Sequence, residues 1–210
     1  AATGAATLLG ALSKFGLDRV ITRYLPEGRT QAAVSDLRAF LRRLRVLRLL
    51  AVGVLAAVLG GLWPWLAPPM KLSPDMGMLA AVAGFSLSHA FTAFQRINLQ
   101  SLMLQRGLRQ ATTVLWLLRL AGVVVLAATA GRIDVQQALW IATVSECAGL
   151  LWMAWVESRL MRQLAGQQAG GPTGADWPAS WPAIRRFAWQ NYASQLAGLP
   201  SQGPMLRVIG

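Results

Sequence analysis

The chain has 210 residues, 55% of them hydrophobic, with a mean hydropathy of +0.45, which excludes an ordinary soluble domain. A net charge of +12 would fit a nucleic-acid partner, but the basic residues stand at the ends of apolar runs rather than on one basic face. That placement points to a membrane and away from nucleic acid. Cys147 is the one cysteine, so there is neither a disulfide framework nor a thiolate metal centre.

Taken in chain order, residues 1–25 form the first candidate span, a small-residue run stopped by Pro26, which removes a backbone donor and disfavours helix at Leu25. Residues 28–47 form a basic connector. Its Val34, Leu37, Leu41, Leu44 and Leu47 recur at helical spacing, which predicts an amphipathic helix on the membrane surface. Residues 49–67 make a second span, with Trp63 and Trp65 in the interfacial aromatic belt. The third runs over residues 76–95 and continues past Asn98, the fourth over 111–131 and the fifth over 135–156. Residues 163–182, rich in Gly, Gln and Pro, read as a linker before an uncharged run at 187–206. No leader peptide is evident, and the chain starts and stops inside apolar runs, so a piece of a longer protein is expected.

Orientation follows from the arginines. Loops on one side carry Arg29, the cluster within 38–48, Arg106, Arg109, Arg159, Arg162, Arg185 and Arg186, whereas the opposite loops carry only Lys71 and Arg132. The positive-inside rule makes the arginine-rich side cytoplasmic.

Charged and polar residues inside spans are functional candidates, because hydrocarbon penalises them unless a partner compensates. Thr3, Thr7, Gly10, Lys14 and Asp18 share one face of the first span, where Lys14 and Asp18 are spaced as a local ion pair. Ser88, His89, Thr92, Gln95 and Arg96 form a polar stripe on the third span, to be satisfied by a helix seam or a wet cavity. Arg119 lies 14 residues before Ile133, at the turn between the fourth and fifth spans, and Glu146 lies 13 after it. At about 1.5 Å per residue both sit about 20 Å below the turn, so the two side chains are expected to meet. No second His or Cys stands at ligand spacing, so no metal is expected. With no nucleophile–base pair or phosphate loop in the sequence, neither enzymatic chemistry nor a cofactor is expected.

The small-residue run ending in Gly16–Leu17–Asp18–Arg19, followed by Arg23–Tyr24–Leu25–Pro26–Glu27, resembles the second helix of polysaccharide-type flippases of the multidrug/oligosaccharidyl-lipid/polysaccharide exporter superfamily. The order of the later spans is similar to helices four to six of that family. The resemblance implies an all-α polytopic membrane bundle, a fragment of a two-lobe transporter with two six-helix lobes and often two further helices. Residues 1–164 would be most of the first lobe, 165–183 the inter-lobe linker and 184–210 the start of a second lobe that this chain otherwise lacks. It also implies a multi-pass protein of the bacterial inner membrane that translocates polyprenyl-diphosphate-linked oligosaccharides for surface polysaccharide such as O-antigen or exopolysaccharide. Lys14, Arg19, Arg23, His89, Arg96 and Arg119 are then candidates for a cavity that takes the anionic headgroup, and Asp18 and Glu146 for coupling or ion pairing. A cation-coupled multidrug exporter of the same fold, or a non-transporting scaffold of a polysaccharide assembly complex, are the alternatives.

Overall fold

The computed structural model describes residues 16–68, 75–131, 134–167 and 181–198. They form six α-helices and, among the described residues, no strand: α1 Leu17–Gln31, α2 Val34–Leu66, α3 Met76–Ser101, α4 Gln105–Ala130, α5 Val135–Gln167 and α6 Trp181–Gly198. The four helices α2 to α5 are each long and apolar enough to cross a membrane. Helix is the form that meets a membrane's demand, because it satisfies every interior backbone group within one segment.

Helices α3 and α5 share the most extensive interface. They run parallel and close, with Gly77 against Gln136 and Gly84 against Thr143. The start of α3 is set by Asp75, whose Oδ1 accepts from Met78 N at 2.6 Å. Helix α4 turns back through Gly131, whose φ of 66° is left-handed, and packs antiparallel on α5. Glycines let these two backbones approach: a Cβ on Gly122 would lie 2.7 Å from Ile141 Cγ2. Facing outward on α2, Val46, Leu50, Val54, Val58, Leu62 and Trp65 form one exposed apolar stripe. Only 11% of the most apolar window of α4 is buried within the bundle. An apolar exterior around buried polar groups suits hydrocarbon rather than water.

Helices α2 and α5 have 33 residues each. At about 50 Å they exceed a hydrocarbon layer of about 30 Å, so each would overhang one that it crosses. Their polar ends lie together, with Arg45 bonded to Glu157 and Arg38 Nη2 donating to Met161 O at 3.2 Å. Around this end Val20, Ile21 and Leu25 of α1, Leu37, Phe40, Leu41 and Leu44 of α2, Leu160 and Met161 of α5, and Ile184 of α6 form one buried core.

That core corrects two expectations. The connector is not a separate amphipathic helix on a lipid surface, because most of it is the first part of α2, continuous with the second span. Its stripe of Val34, Leu37, Leu41 and Leu44 is buried against protein, and only Leu47 stays exposed. Nor does Pro26 stop α1, which runs on to Gln31 before the chain becomes extended at Ala32 and Ala33. Proline removes one donor at a cost of about 3 kcal/mol, and burial of Leu17, Val20, Ile21 and Leu25 along the same helix offsets it. Three further boundaries shift outward. Helix α4 starts at Gln105, α5 extends to Gln167 into the expected linker, and α6 begins at Trp181 and includes Arg185 and Arg186. The first fifteen residues of the expected first span, Lys14 among them, lie outside the described residues.

Helix α6 docks on α1 through Gly16, which has φ 67° and holds its α-carbon against the Ala188 backbone. A Cβ there would come within 2.2 Å of Ala188 O. Gly131 has a similar φ but open space around it. Gly131→Ala should therefore cost the left-handed strain alone, about 1–2 kcal/mol, whereas Gly16→Ala should cost more, because α6 must also move. Denaturation of the two variants in detergent micelles measures the difference, and equal losses would mean that α6 does not dock here.

Candidate functional site

Polar residues on α3 and α5 meet along their interface in two layers. Glu146 and Glu157 are 11 residues apart on α5, three helical turns, so both carboxylates point to the same side. Both are buried, at 2% and 5% exposure.

In the first layer Glu146 Oε1 accepts two bonds, from Arg119 Nη2 at 2.6 Å and from His89 Nδ1 at 3.2 Å. A buried carboxylate accepts, so His89 carries its proton on Nδ1. Arg119 reaches across from α4, with Nε on Ser145 Oγ at 3.0 Å and its guanidinium 5.4 Å from the Trp116 ring centre. His89 stacks on Phe85 at 5.7 Å. The Thr92 hydroxyl lies against the same carboxylate. Neither Thr92 Oγ1 nor Glu146 Oε2 has a hydrogen-bond partner of normal geometry among the described residues.

In the second layer Glu157 accepts from Gln95 Nε2 and from Arg45 of α2. Asn98 Nδ2 donates to Gln95 Oε1 at 3.4 Å. The two layers turn the polar stripe of α3 toward α5, so the seam takes up Thr92 and Gln95, while His89 stays half-exposed at its edge. A third buried charge, Arg48, sits at 1% exposure, where Nη2 donates to Ala90 O at 3.2 Å and the guanidinium lies 5.8 Å from the Phe94 ring. The Asp18 carboxylate of α1 attracts it.

The structure therefore brings together His89, Arg119 and Glu146, and it separates the other expected cavity residues. Arg19 is exposed on α1 and donates to Asn191 Oδ1 at 2.9 Å, which ties α1 to α6. Arg23 is exposed and lies 5.0 Å from the Phe187 ring. Arg96 is half-buried near the far end of α3, and Lys14 is outside the described residues. Arg19 and Arg23 thus hold helices together rather than line a common cavity with Arg119. An apolar crevice between α2 and α3, lined by Val52, Leu55, Leu59, Ala83, Ser86 and Ala90, contains none of these cations. Among the described residues no group of three or more His, Cys, Asp or Glu is placed to hold a metal.

Sequence reasoning missed Glu157, Arg45 and Arg48. Glu157 stands one residue past the expected end of the fifth span, outside the stretch in which charges are singled out. Its 11-residue spacing from Glu146 was the available signal. Arg45 and Arg48 were assigned to a loop, yet both lie within α2, which carries them into the bundle.

No family model matches this chain, and no curated protein or solved structure matches it either.

Removing one partner of the Arg119–Glu146 pair strands a buried charge. Arg119→Leu and Glu146→Leu should each cost about 3–5 kcal/mol, and the double replacement far less than their sum. A double-mutant cycle on unfolding in detergent checks this, and additive losses would mean that the two side chains do not interact.

Proposed function

We propose that this chain is first-lobe sequence of a lipid-linked oligosaccharide flippase of the bacterial inner membrane, a multi-pass transporter that passes polyprenyl-diphosphate sugars toward surface polysaccharide. The observation that carries the reading is Arg119. It is a cation within an apolar helix, 24% exposed, held by a carboxylate that is itself only 2% exposed. A guanidinium in that position is a ready partner for a diphosphate, since Arg binds phosphate oxygens through a planar fork of donors. The short motif Gly16–Arg19 with Arg23–Glu27 supports the same reading by resemblance. In this account Glu146 holds the guanidinium while no headgroup is present, which avoids an unpaired charge in hydrocarbon. Membrane lipid covers the apolar outer faces, the sugar uses the polar interior, and the second lobe completes the path.

A cation-coupled exporter of the same fold is the second reading. The observation in its favour is the pair of buried carboxylates, Glu146 and Glu157, stacked along one face of α5.

The two readings separate in the cell. Deleting the gene should abolish surface polysaccharide and leave lipid-linked repeat units inside. The full-length Arg119→Leu/Glu146→Leu protein should insert normally yet restore less than about a tenth of export, as loss of a charge-assisted contact of about 1.5–3 kcal/mol implies. Full export from this double variant would reduce Arg119 to a helix fastener. Unchanged polysaccharide in the deletion strain would reject the flippase reading.

A further inference from the structure

We propose that His89, Glu146 and Arg119 form a site that takes up a proton and an oxyanion together, the proton on His89 and a phosphate-type oxyanion on Arg119. The identity of the oxyanion as a diphosphate headgroup rests on the flippase reading, whereas the linkage itself rests on the geometry. Two donors share one atom: Arg119 Nη2 and His89 Nδ1 both bond to Glu146 Oε1, at 2.6 and 3.2 Å. The carboxylate is the enclosed member, at 2% side-chain exposure, while the His89 and Arg119 side chains are 44% and 24% exposed. Both donors therefore face outward from a shared, buried acceptor.

Charge makes the two ligands interdependent. With His89 neutral, Glu146 and Arg119 cancel. A proton alone would leave one positive charge in apolar surroundings, and an oxyanion alone would leave a net negative charge. Bound together, the proton offsets one of the anion's charges, so each lowers the cost of binding the other. The step needs no other reactant. A proton from water binds His89 Nε2, the ring nitrogen that faces away from the carboxylate bond. The imidazolium then holds Glu146 through a charge-assisted hydrogen bond. Arg119 is released from Oε1 and turns to the oxyanion, while Ser145 and the Trp116 ring keep the guanidinium in place. When the oxyanion leaves, Arg119 returns to Glu146 and His89 gives its proton back to water.

The charged groups that face this set from the packed helices are few. Besides Glu146, α5 presents Glu157, which is occupied by Gln95 and Arg45. Helix α4 presents Arg119, and α2 presents Arg48, which is held at the Ala90 carbonyl and attracted by Asp18 of α1. On α3 itself Phe85 stacks on the imidazole, and Arg96 lies two turns on. None of these is an imidazole, and His89 is the one histidine in the sequence.

Sulfate is the probe, because it keeps its charge between about pH 6 and about pH 8, where histidine titrates. Calorimetry on the full-length protein in nanodiscs should show sulfate binding about tenfold tighter at the lower pH. His89→Gln keeps an N–H for Glu146 but takes no proton, and it should bind sulfate equally at both pH values. Glu146→Gln releases Arg119 permanently and should bind at both pH values as the wild type does at the lower one. Arg119→Leu should lose binding. The proposal is overturned by a wild type indifferent to pH, by a His89→Gln protein that keeps the tenfold difference, or by an Arg119→Leu protein that binds normally. Proton-linked sulfate binding in a protein whose deletion leaves polysaccharide export unchanged would reject the flippase reading and keep the site. Lost export together with pH-independent binding would do the reverse.

Discussion

Hydrocarbon offers no hydrogen-bond partner, so the polar side chains of α3 and α5 must find theirs inside the bundle. That requirement fixes how α5 is rotated about its axis. With Glu146 and Glu157 turned toward α3, their partners are His89 and Gln95 on α3, Arg119 on α4 and Arg45 on α2. The same rotation leaves Val144, Leu151 and Trp155 facing outward, where lipid receives them. One rotational setting thus satisfies the carboxylates and exposes the apolar residues together, with α4 tied to the seam by Arg119 and α2 by Arg38, Arg45 and Arg48.

The two layers differ in their surroundings. Glu157 belongs to the overhanging end, where Arg45 is 45% exposed and α1 and α6 close a compact apolar core. Arg29 also acts there, donating from Nη1 to Leu102 O at the end of α3, a favourable place for a positive charge beside unpaired helix carbonyls. Glu146 lies within the apolar stretch, where charge is costlier. The overhang therefore serves as a scaffold, and the Glu146 layer is where a change of charge would be felt most strongly.

Some of this was legible in the sequence for identifiable reasons. The turn at Gly131 pins the register of α4 against α5, so residue spacing alone placed Arg119 and Glu146 at one depth, and the structure joins them at 2.6 Å. The polar stripe on α3 was visible because helical periodicity gathers Ser88, Thr92 and Gln95 on one side, but periodicity does not say which helix covers it. The apolar stripe of the connector shows the same limit. Leu37, Leu41 and Leu44 had to be buried, and whether lipid or protein would bury them depends on α1 and on α5 and α6, the last two remote in sequence. The separation of Arg19 and Arg23 from Arg119 is likewise tertiary, since it follows from α6 packing on α1.

The central claim is the rotation of α5 against α3, and cross-linking measures it most directly. In a full-length protein with Cys147 replaced, cysteines introduced in place of Gly84 and Thr143 should be joined by a short bifunctional reagent, because a Cβ on Gly84 lies 3.6 Å from Thr143 Cγ2. Cysteines at Gly84 and Val144 should not be joined, because Val144 is 65% exposed on the outer side of α5. Equal or preferential cross-linking of the 84–144 pair would turn α5 by about 100°, remove Glu146 and Glu157 from the seam, and contradict the account.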